Sequence, residues 1–278
     1  MALIKCPECG KEISEHAQFC PHCGCPEGLI SKAVSKQKEM ERHRNAEQEA
    51  KRQVANEETQ RRAIEQRRIQ EQTAAKRSAL ENARKNGRIA LSAPVHTGQR
   101  FPMGEWGRDY IEWRVLDVSG KDILVITDKV IDLKTYNDDG FKTCWKKCAL
   151  REWLNEAFLQ KAFTNSERRF IKQTHLDNPG NALFETPGSD ATTDLVFCLS
   201  IQEAEKYFAR KEDREASPTS FVVSQMPIAD NVCSWWLRSP GESRKHAALV
   251  LFGGYISERG ASIRASEGVR PAMWISLE

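Results

Sequence analysis

The sequence predicts an α+β protein in three parts: a small metal-stabilised module, one long helix, and a C-terminal domain whose second half is loop-rich and antiparallel. Three observations carry this. Four cysteines open the chain as two C-x2-C pairs, Cys6/Cys9 and Cys20/Cys23. Residues Ser31 to Asn86 contain no Pro or Gly and are crowded with Glu, Gln, Lys, Arg and Ala. From residue 88 onward a strand pair gives way to amphipathic helical patterns and then to a series of short strands.

At 278 residues, 40% hydrophobic and 29% charged, the chain is long enough for one well-buried domain plus appendages, or for two small domains. No stretch reaches the roughly 18 apolar residues of a membrane span. The start MALIKCPECG lacks the basic, apolar and small-residue parts of a secretory signal, so a cytoplasmic location is expected. Of the nine cysteines, five lie within the first 25 residues, and Cys144, Cys148, Cys198 and Cys233 are scattered. An odd, front-loaded count argues for metal binding and free thiols over a disulfide framework. The formal net charge of +3 is uneven: −2 over residues 1–30, +6 over 31–87 and −1 over 88–278.

The first part, residues 1–28, contains CPECGKEISEHAQFCPHCG. Each C-x2-C pair is followed by a glycine, Gly10 or Gly24, which suits a tight knuckle presenting two thiolates to one metal. Two knuckles supply the four sulfurs of one structural zinc ion, with Cys6, Cys9, Cys20 and Cys23 as ligands. A site closed by four thiolates leaves no open position for catalysis, so the zinc is expected to stabilise a module too small for its own core. Cys25, His16 and His22 are read as bystanders.

The second part, residues 31–86, is predicted as a charged helical linker about 84 Å long at 1.5 Å per residue. Glu47/Lys51, Glu57/Arg61, Glu58/Arg62 and Glu81/Lys85 place Glu four residues ahead of a base, and Gly87 supplies a C-terminal cap. Val34, Met40, Val54, Ile64, Ile69 and Leu80 are sparse and keep no heptad. A solvated helix follows, with a weak oligomerisation helix or a basic arm for nucleic acid as the sharper readings. Acids interleave with the bases and no aromatics are present to stack on nucleobases, which weakens the last.

The third part, residues 88–278, is the only one able to bury a sizeable core. Strands are predicted at 111–118 and 122–128 around a Ser-Gly-Lys turn. In ALREWLNEAFLQKAF, residues Leu150, Trp153, Leu154, Ala157 and Phe158 share one helical face. Capping boxes Thr164/Glu167 and Ser200/Glu203 start two further helices. From Trp235 the pattern turns to short strands: AALVLF, YIS, ASIR and VRPAMWI. Residues 176–194 and 210–233 carry little pattern and are expected to be long loops.

Two resemblances add to this reading. C-P-x-C-G followed by F-C-x-x-C-G resembles the short bacterial zinc ribbons, including Phe19. The ordered series W-R-V-L-D, CWKKCALREWLNEAFLQKAF, TTDLVFCLSIQEAEKYF, WWLRSPG and GVRPAMWI resembles a bacterial domain of unknown function often found behind zinc ribbons, covering nearly all of residues 98–278. Its closing part is further similar to the C-type-lectin-like fold shared by formylglycine-generating (sulfatase-modifying) enzymes and the variable binding proteins of diversity-generating retroelements. That resemblance implies a C-type-lectin-like domain over 88–278. Formylglycine-generating oxidases hold copper with two late cysteines, whereas Cys233 is the only cysteine here after Cys198. The Glu-Pro-Asn and Trp-Asn-Asp elements of calcium-dependent lectins are absent.

Other constellations are less specific. Cys144 and Cys148 lie four apart and would share a helical face if the helix starts early. Ser239, His246 and Asp230 form a hydrolytic trio on paper, but no nucleophile elbow surrounds the serine. In WWLRSPG, strand alternation sends Trp235 and Trp236 to opposite faces. With Trp235 and Leu237 in the core, Trp236 and Arg238 form an aromatic–guanidinium surface for a planar or acidic ligand. The reverse assignment buries Trp236 and makes Arg238 a structural ion-pair partner of Glu242 or Glu267. The motif reads as framework first, with Arg238 the residue expected to face a ligand. Flanking loops bring Arg244, Lys245, His246 and Arg259, so the candidate ligand residues are Trp236, Arg238, Arg244, His246 and Arg259.

The expected function is a non-enzymatic binding protein, an adaptor or sensor. Protein or nucleic acid would dock on the ribbon, protein or a small ligand on the C-terminal domain, and oligomerisation would run through the helix. The alternatives are an enzyme of the sulfatase-modifying fold with altered chemistry and a nucleic-acid-binding protein using ribbon and basic helix.

Overall fold

The computed structural model describes residues 3–86, 88–107, 109–225 and 232–277. They form two compact units, Met1–Gln72 and Thr73–Glu278. Gly87, expected as the helix cap, and Asp230 of the paper trio lie outside the described residues.

The first unit starts with two three-residue strands, β1 (Leu3–Lys5) and β2 (Glu12–Ser14), paired antiparallel with Ile4 opposite Ile13. Those two isoleucines pack with Cys6, Cys20, Cys25 and Ile30, and Ala17 and Val34 lie against them. So few apolar side chains bury too little surface to offset the ordering entropy of the module, so folding needs a further source of stability. Ile30 and Val34 come from the first turns of α1 (Glu27–Lys85), where Lys38 also pairs with Glu15 at 3.0 Å. Farther along, the helix is exposed on all sides up to Gln72, including Met40, Val54, Ile64 and Ile69. Ion pairs one turn apart line it, among them Glu47–Lys51 at 2.7 Å and Arg67–Glu71 at 3.0 Å.

The second unit has two main sheets. One is antiparallel, in the order β13 (Ala272–Ser276), β5 (Asp122–Thr127), β4 (Asp109–Ser119), β3 (Arg100–Trp106). The other runs β11 (Ile256–Ser262), β10 (His246–Val250), β9 (Trp235–Pro240), β12 (Ser266–Val269), β6 (Asp132–Thr135), with only the β12–β9 pair parallel. The chain passes between the sheets at residues 128–131 and 270–271. These crossings are sewn together by Thr127 N–H to Pro271 O at 3.0 Å and Ile131 N–H to Val269 O at 3.0 Å. Pro271 has no N–H to give a ladder, which is why VRPAMWI becomes two strands in different sheets instead of one.

The expected helix over ALREWLNEAFLQKAF is split. A 3-10 turn (Trp145–Lys147) precedes α2 (Ala149–Trp153), a π-helical turn (Leu154–Phe158) and α3 (Leu159–Ala162). Leu150, Leu154 and Phe158 are buried as the periodicity requires. In the π turn, Asn155 Oδ1 accepts from Leu195 N–H at 2.8 Å and its Nδ2 donates to Val196 O at 2.9 Å, so one side chain caps the backbone of a neighbouring segment. Both capping boxes form, Thr164/Glu167 opening α4 (Asn165–Arg168) and Ser200/Glu203 opening α5 (Ile201–Tyr207). The stretch 210–233, expected as a long loop, is corrected: it carries a 3-10 turn (Lys211–Arg214) and a final short helix, α6 (Ser220–Gln225). The last turns of α1 belong to this unit: Leu80 and Ala83 are buried, and Arg84 reaches Glu167 at 3.0 Å and Glu105 at 2.9 Å.

Two further expectations are corrected. Residues 176–194 are not a plain loop: β7 (Thr174–Asn178) and β8 (Ser189–Asp194) pair as a small antiparallel hairpin. Its strands are mostly polar, and beside buried Leu176 the buried residues Asn178, Thr192 and Asp194 stand where further apolar residues would have signalled a strand. Cys144 and Cys148 do not share a helical face, because Cys144 precedes the 3-10 turn and α2 starts only at Ala149.

Candidate functional site

In the ribbon both knuckles have the same local form. Gly10 N–H donates to Cys6 O at 3.0 Å and Gly24 N–H to Cys20 O at 2.9 Å. Both glycines adopt positive φ, +71° and +79°, which a side chain would oppose. The chain reversal faces each cysteine pair toward the other: Cys6 and Cys23 Sγ are 3.6 Å apart, Cys9 and Cys20 Sγ 3.7 Å. All four sulfurs lie within 4.8 Å of one another. A tetrahedral zinc–thiolate centre with Zn–S near 2.3 Å has sulfur–sulfur edges of about 3.8 Å, so donor set and spacing fit one zinc ion. The backbone N–H of Cys9 holds the Cys6 thiol down at about 6, while Cys23, against the lowering effect of the backbone N–H of Cys25, is pushed up to about 12 by burial and the three neighbouring thiols. Cys25 is buried in the small core, its Sγ 3.9 Å from Pro26 O, and is not one of the four sulfurs that lie within 4.8 Å of one another.

The WWLRSPG strand is β9, the middle strand of the five-stranded sheet, and both of its faces are covered. Trp235 and Trp236 are therefore both fully buried, and the expected Trp236–Arg238 ligand surface does not form. Trp236 donates its Nε1–H to Lys134 O at 2.8 Å and packs edge-on to Tyr136. Trp235 donates to Arg214 O at 3.0 Å and lies 4.9 Å from the buried Arg270 guanidinium. Arg238 is 5% exposed and pairs with Glu203, a partner neither sequence reading named. Glu242 instead meets Arg259, whose guanidinium also lies 5.6 Å from the Phe184 ring.

Arg238, Arg244 and His246 nevertheless border one cleft. Its inner part, a space of only about 10 Å³, is lined by residues that include Tyr136, Asn178, Arg238 and His246. It shares Thr143, Cys144, Asn178, Gly188 and Ser189 with a wider outer basin of about 660 Å³, where Lys142, Lys146, Lys147 and Arg244 stand with one carboxylate, Asp190. Four elements build it. The β7–β8 hairpin forms one wall, its tip tied to the five-stranded sheet by Asn181 Nδ2 donating to Pro240 O at 3.0 Å and Glu258 O at 2.8 Å. The 142–147 segment forms another, anchored by Thr143 N–H to Arg244 O at 3.0 Å and by Trp145 Nε1–H to the buried Asp194 at 2.8 Å. Arg244 closes the rim by donating to Gly188 O at 3.0 Å, and β9 supplies the floor. Gly188 is required there, because a Cβ would stand 2.1 Å from Asn178 O.

The sequence signal for the basic rim was present in KTCWKK, but those lysines gained a role only when the hairpin folded opposite them. Asn178 gave no signal, since its strand carries only one apolar residue, Leu176.

The C-terminal thiols are poorly suited to nucleophilic chemistry. Burial pushes Cys148 up to about 12, raises Cys198 further, and, with the nearby Glu267, lifts Cys233 to about 11. Cys144 is the partly exposed one, at the cleft. Ser239 is buried and its Oγ accepts from Ile201 N–H at 3.0 Å, so it serves the start of α5 and not a hydrolytic trio. His246 Nδ1 lies 3.0 Å from Ser243 Oγ within one turn, and that oxygen also accepts from Lys245 N–H at 3.2 Å.

A closed four-cysteine centre, followed in the chain by an α+β domain of mainly antiparallel sheets, defines a zinc-ribbon protein with an appended domain, and residues 5–26 match the zinc-ribbon domain family. The chain belongs to the family described as a domain of unknown function (DUF6273), which residues 120–277 match. An uncharacterized protein of Haemophilus influenzae is 62% identical over 24 residues, 9% of this chain and 32% of the relative. The chain thus spans about a third of the curated relative it matches. No solved structure matches it. No helix among the described residues is long and apolar enough to cross a membrane.

Proposed function

We propose that the chain is a cytoplasmic, non-enzymatic binding protein, an adaptor or sensor in which a zinc ribbon and a C-type-lectin-like recognition domain are carried on one helix. The observation that supports this reading most is the basic cleft: Lys142, Lys146, Lys147 and Arg244 gather around it, while three of the domain's four thiols are buried with raised pKa. Groups arranged this way hold a ligand; they do not activate a nucleophile. The lectin-like assignment rests on the W-W-x-R-S strand, the terminal V-R-P segment and the antiparallel C-terminal strands around them. Arg244 and His246 stay in the proposed site with Arg238 beneath them, whereas Trp236 belongs to the core and Arg259 is engaged by Glu242.

The ribbon, whose zinc is closed to substrate, is the second docking element, for protein or nucleic acid. Exposed Leu3, Phe19 and Leu29 give it apolar surface for a protein partner. The test is capture of partners by the zinc-loaded full chain, beside a Lys142→Glu/Lys147→Glu variant and a Cys9→Ser variant. A partner lost on one of these changes supports recognition by that part of the chain. Retention unaffected by either, or steeply salt-dependent nucleic-acid binding that accounts for all capture, overturns the adaptor reading.

A further inference from the structure

Arg238 has five N–H donors, and four can be placed. Its Nη1 donates to Cys198 O at 3.1 Å and to Glu203; its Nη2 donates to Asp177 O at 3.3 Å and to Glu203 Oε1 at 2.9 Å. The fifth, on Nε, has no partner although the residue is 95% buried. Asn178, 8% exposed, has the complementary deficit. Its Nδ2 donates to Asp190 O at 2.9 Å, which fixes the amide orientation because a carbonyl can only accept, and its Oδ1 has no partner. Both residues line the inner cleft. One unused donor and one unused acceptor, each costly to leave unmade in a buried setting, therefore border the same small space.

The rim carries a surplus of positive charge around one carboxylate, Asp190. Lys146 is balanced by Asp190 at 2.9 Å, but Lys142, Lys147 and Arg244 have no carboxylate in ion-pair range among the described residues. A hydroxyl, like a water, donates to an amide oxygen and accepts from an N–H, and an oxyanion is what a surplus of cations around one carboxylate attracts. The inner space, about 10 Å³, has room for a single hydroxyl, and the outer basin, about 660 Å³, for the remainder of a small molecule. Resting on the binding reading above, we infer that the cleft takes a small hydroxylated oxyanion, its anionic group among Lys142, Lys147 and Arg244 and its hydroxyl end at Arg238 Nε and Asn178 Oδ1. A phosphate or a carboxylate supplies the shared anionic chemistry.

The test is calorimetric titration of the zinc-loaded full chain with glycerol 3-phosphate and with glycerate, beside inorganic phosphate and glycerol, which each carry one of the two features. Glycerol 3-phosphate or glycerate should bind roughly tenfold or more tighter than either single-feature probe, the gain of about one well-made pair of hydrogen bonds. The ratio between the two identifies phosphate or carboxylate as the anion. Lys142→Ala/Lys147→Ala, at exposed positions outside the core, should weaken binding roughly fivefold or more, and more so at low salt. Asn178→Ala, checked by melting, should remove the advantage over inorganic phosphate. Inorganic phosphate binding as tightly as the hydroxylated anions, or binding unmoved by the lysine pair, would mean an adventitious ion only and would overturn the assignment. A null titration alongside a captured partner would sink the cleft assignment alone; failure of both would remove the binding function as well.

Discussion

Glu167→Ala should cost the C-terminal domain far more than its four-residue helix suggests. The carboxylate is buried and accepts from Thr164 N–H at 2.8 Å, Thr164 Oγ–H at 2.8 Å, Gly104 N–H at 3.0 Å, and Arg84 Nε–H and Nη2–H at 3.0 and 3.3 Å. Truncation strands two backbone donors, about 1–3 kcal/mol for each left unmade. It also removes half of an ion pair, though Arg84 keeps Glu105 at 2.9 Å and is not wholly orphaned. The sum is about 3–4 kcal/mol, below the upper end for a broken buried pair. At about 2–4 °C per kcal/mol for a domain of this size, the melting temperature should fall by roughly 10 °C. All seven tryptophans lie between Trp106 and Trp274, so indole fluorescence of the full chain follows this domain alone. Glu105→Ala, at a half-exposed partner, should cost under about 1 kcal/mol. The Arg84 guanidinium and the Thr164 and Gly104 donors outweigh burial and hold the Glu167 pKa below its ordinary value. Its stabilising contribution is therefore complete above the ordinary carboxylate pKa and lost as pH falls through the lower folded value. The difference between wild type and Glu167→Gln should shrink in that acidic window. Equal effects of Glu105→Ala and Glu167→Ala, or a loss under about 1 kcal/mol for the latter, would refute the argument.

Further outcomes follow from the same geometry. Cys9→Ser should reduce bound zinc from one ion per chain toward none by elemental analysis, while the tryptophan melt of the C-terminal domain stays in place. Maleimide labelling of the zinc-loaded native chain, mapped by mass spectrometry, should modify Cys144 and spare Cys148, Cys198 and Cys233; rapid labelling of Cys233 would revive an activated-thiol reading. Gly260→Ala should lower stability by at least about 2 kcal/mol in denaturant unfolding, because φ is +79° and a Cβ would lie 2.2 Å from Ala247 O.

Local chemistry was legible wherever a few adjacent residues settle it. The cysteine knuckles, both capping boxes and the β4–β5 hairpin follow from spacing and turn residues alone. What stayed hidden depended on distant partners. Alternation correctly puts Trp235 and Trp236 on opposite faces, yet it cannot tell that β9 lies mid-sheet with both faces covered. Glu203 was read only as a cap, because nothing local links it to an arginine 35 residues away. The β7–β8 hairpin escaped because, beside the single buried Leu176, its buried residues are Asn178, Thr192 and Asp194, linked by hydrogen bonds from Asn178 to Thr192 and from Thr192 to Asp194.

The two capping-box glutamates share one further property. Each closes the start of a short helix and also grips an arginine, 83 residues away for Glu167 and 35 for Glu203. Helices of four and seven residues do not persist alone in water, since nucleation outweighs so few hydrogen bonds. Each glutamate is fully engaged only when its arginine has arrived, so these turns should consolidate late, after the sheets have collapsed. Mutations at Glu167 and Glu203 should then speed unfolding more than they slow refolding, making both pairs latches on the lifetime of the native state.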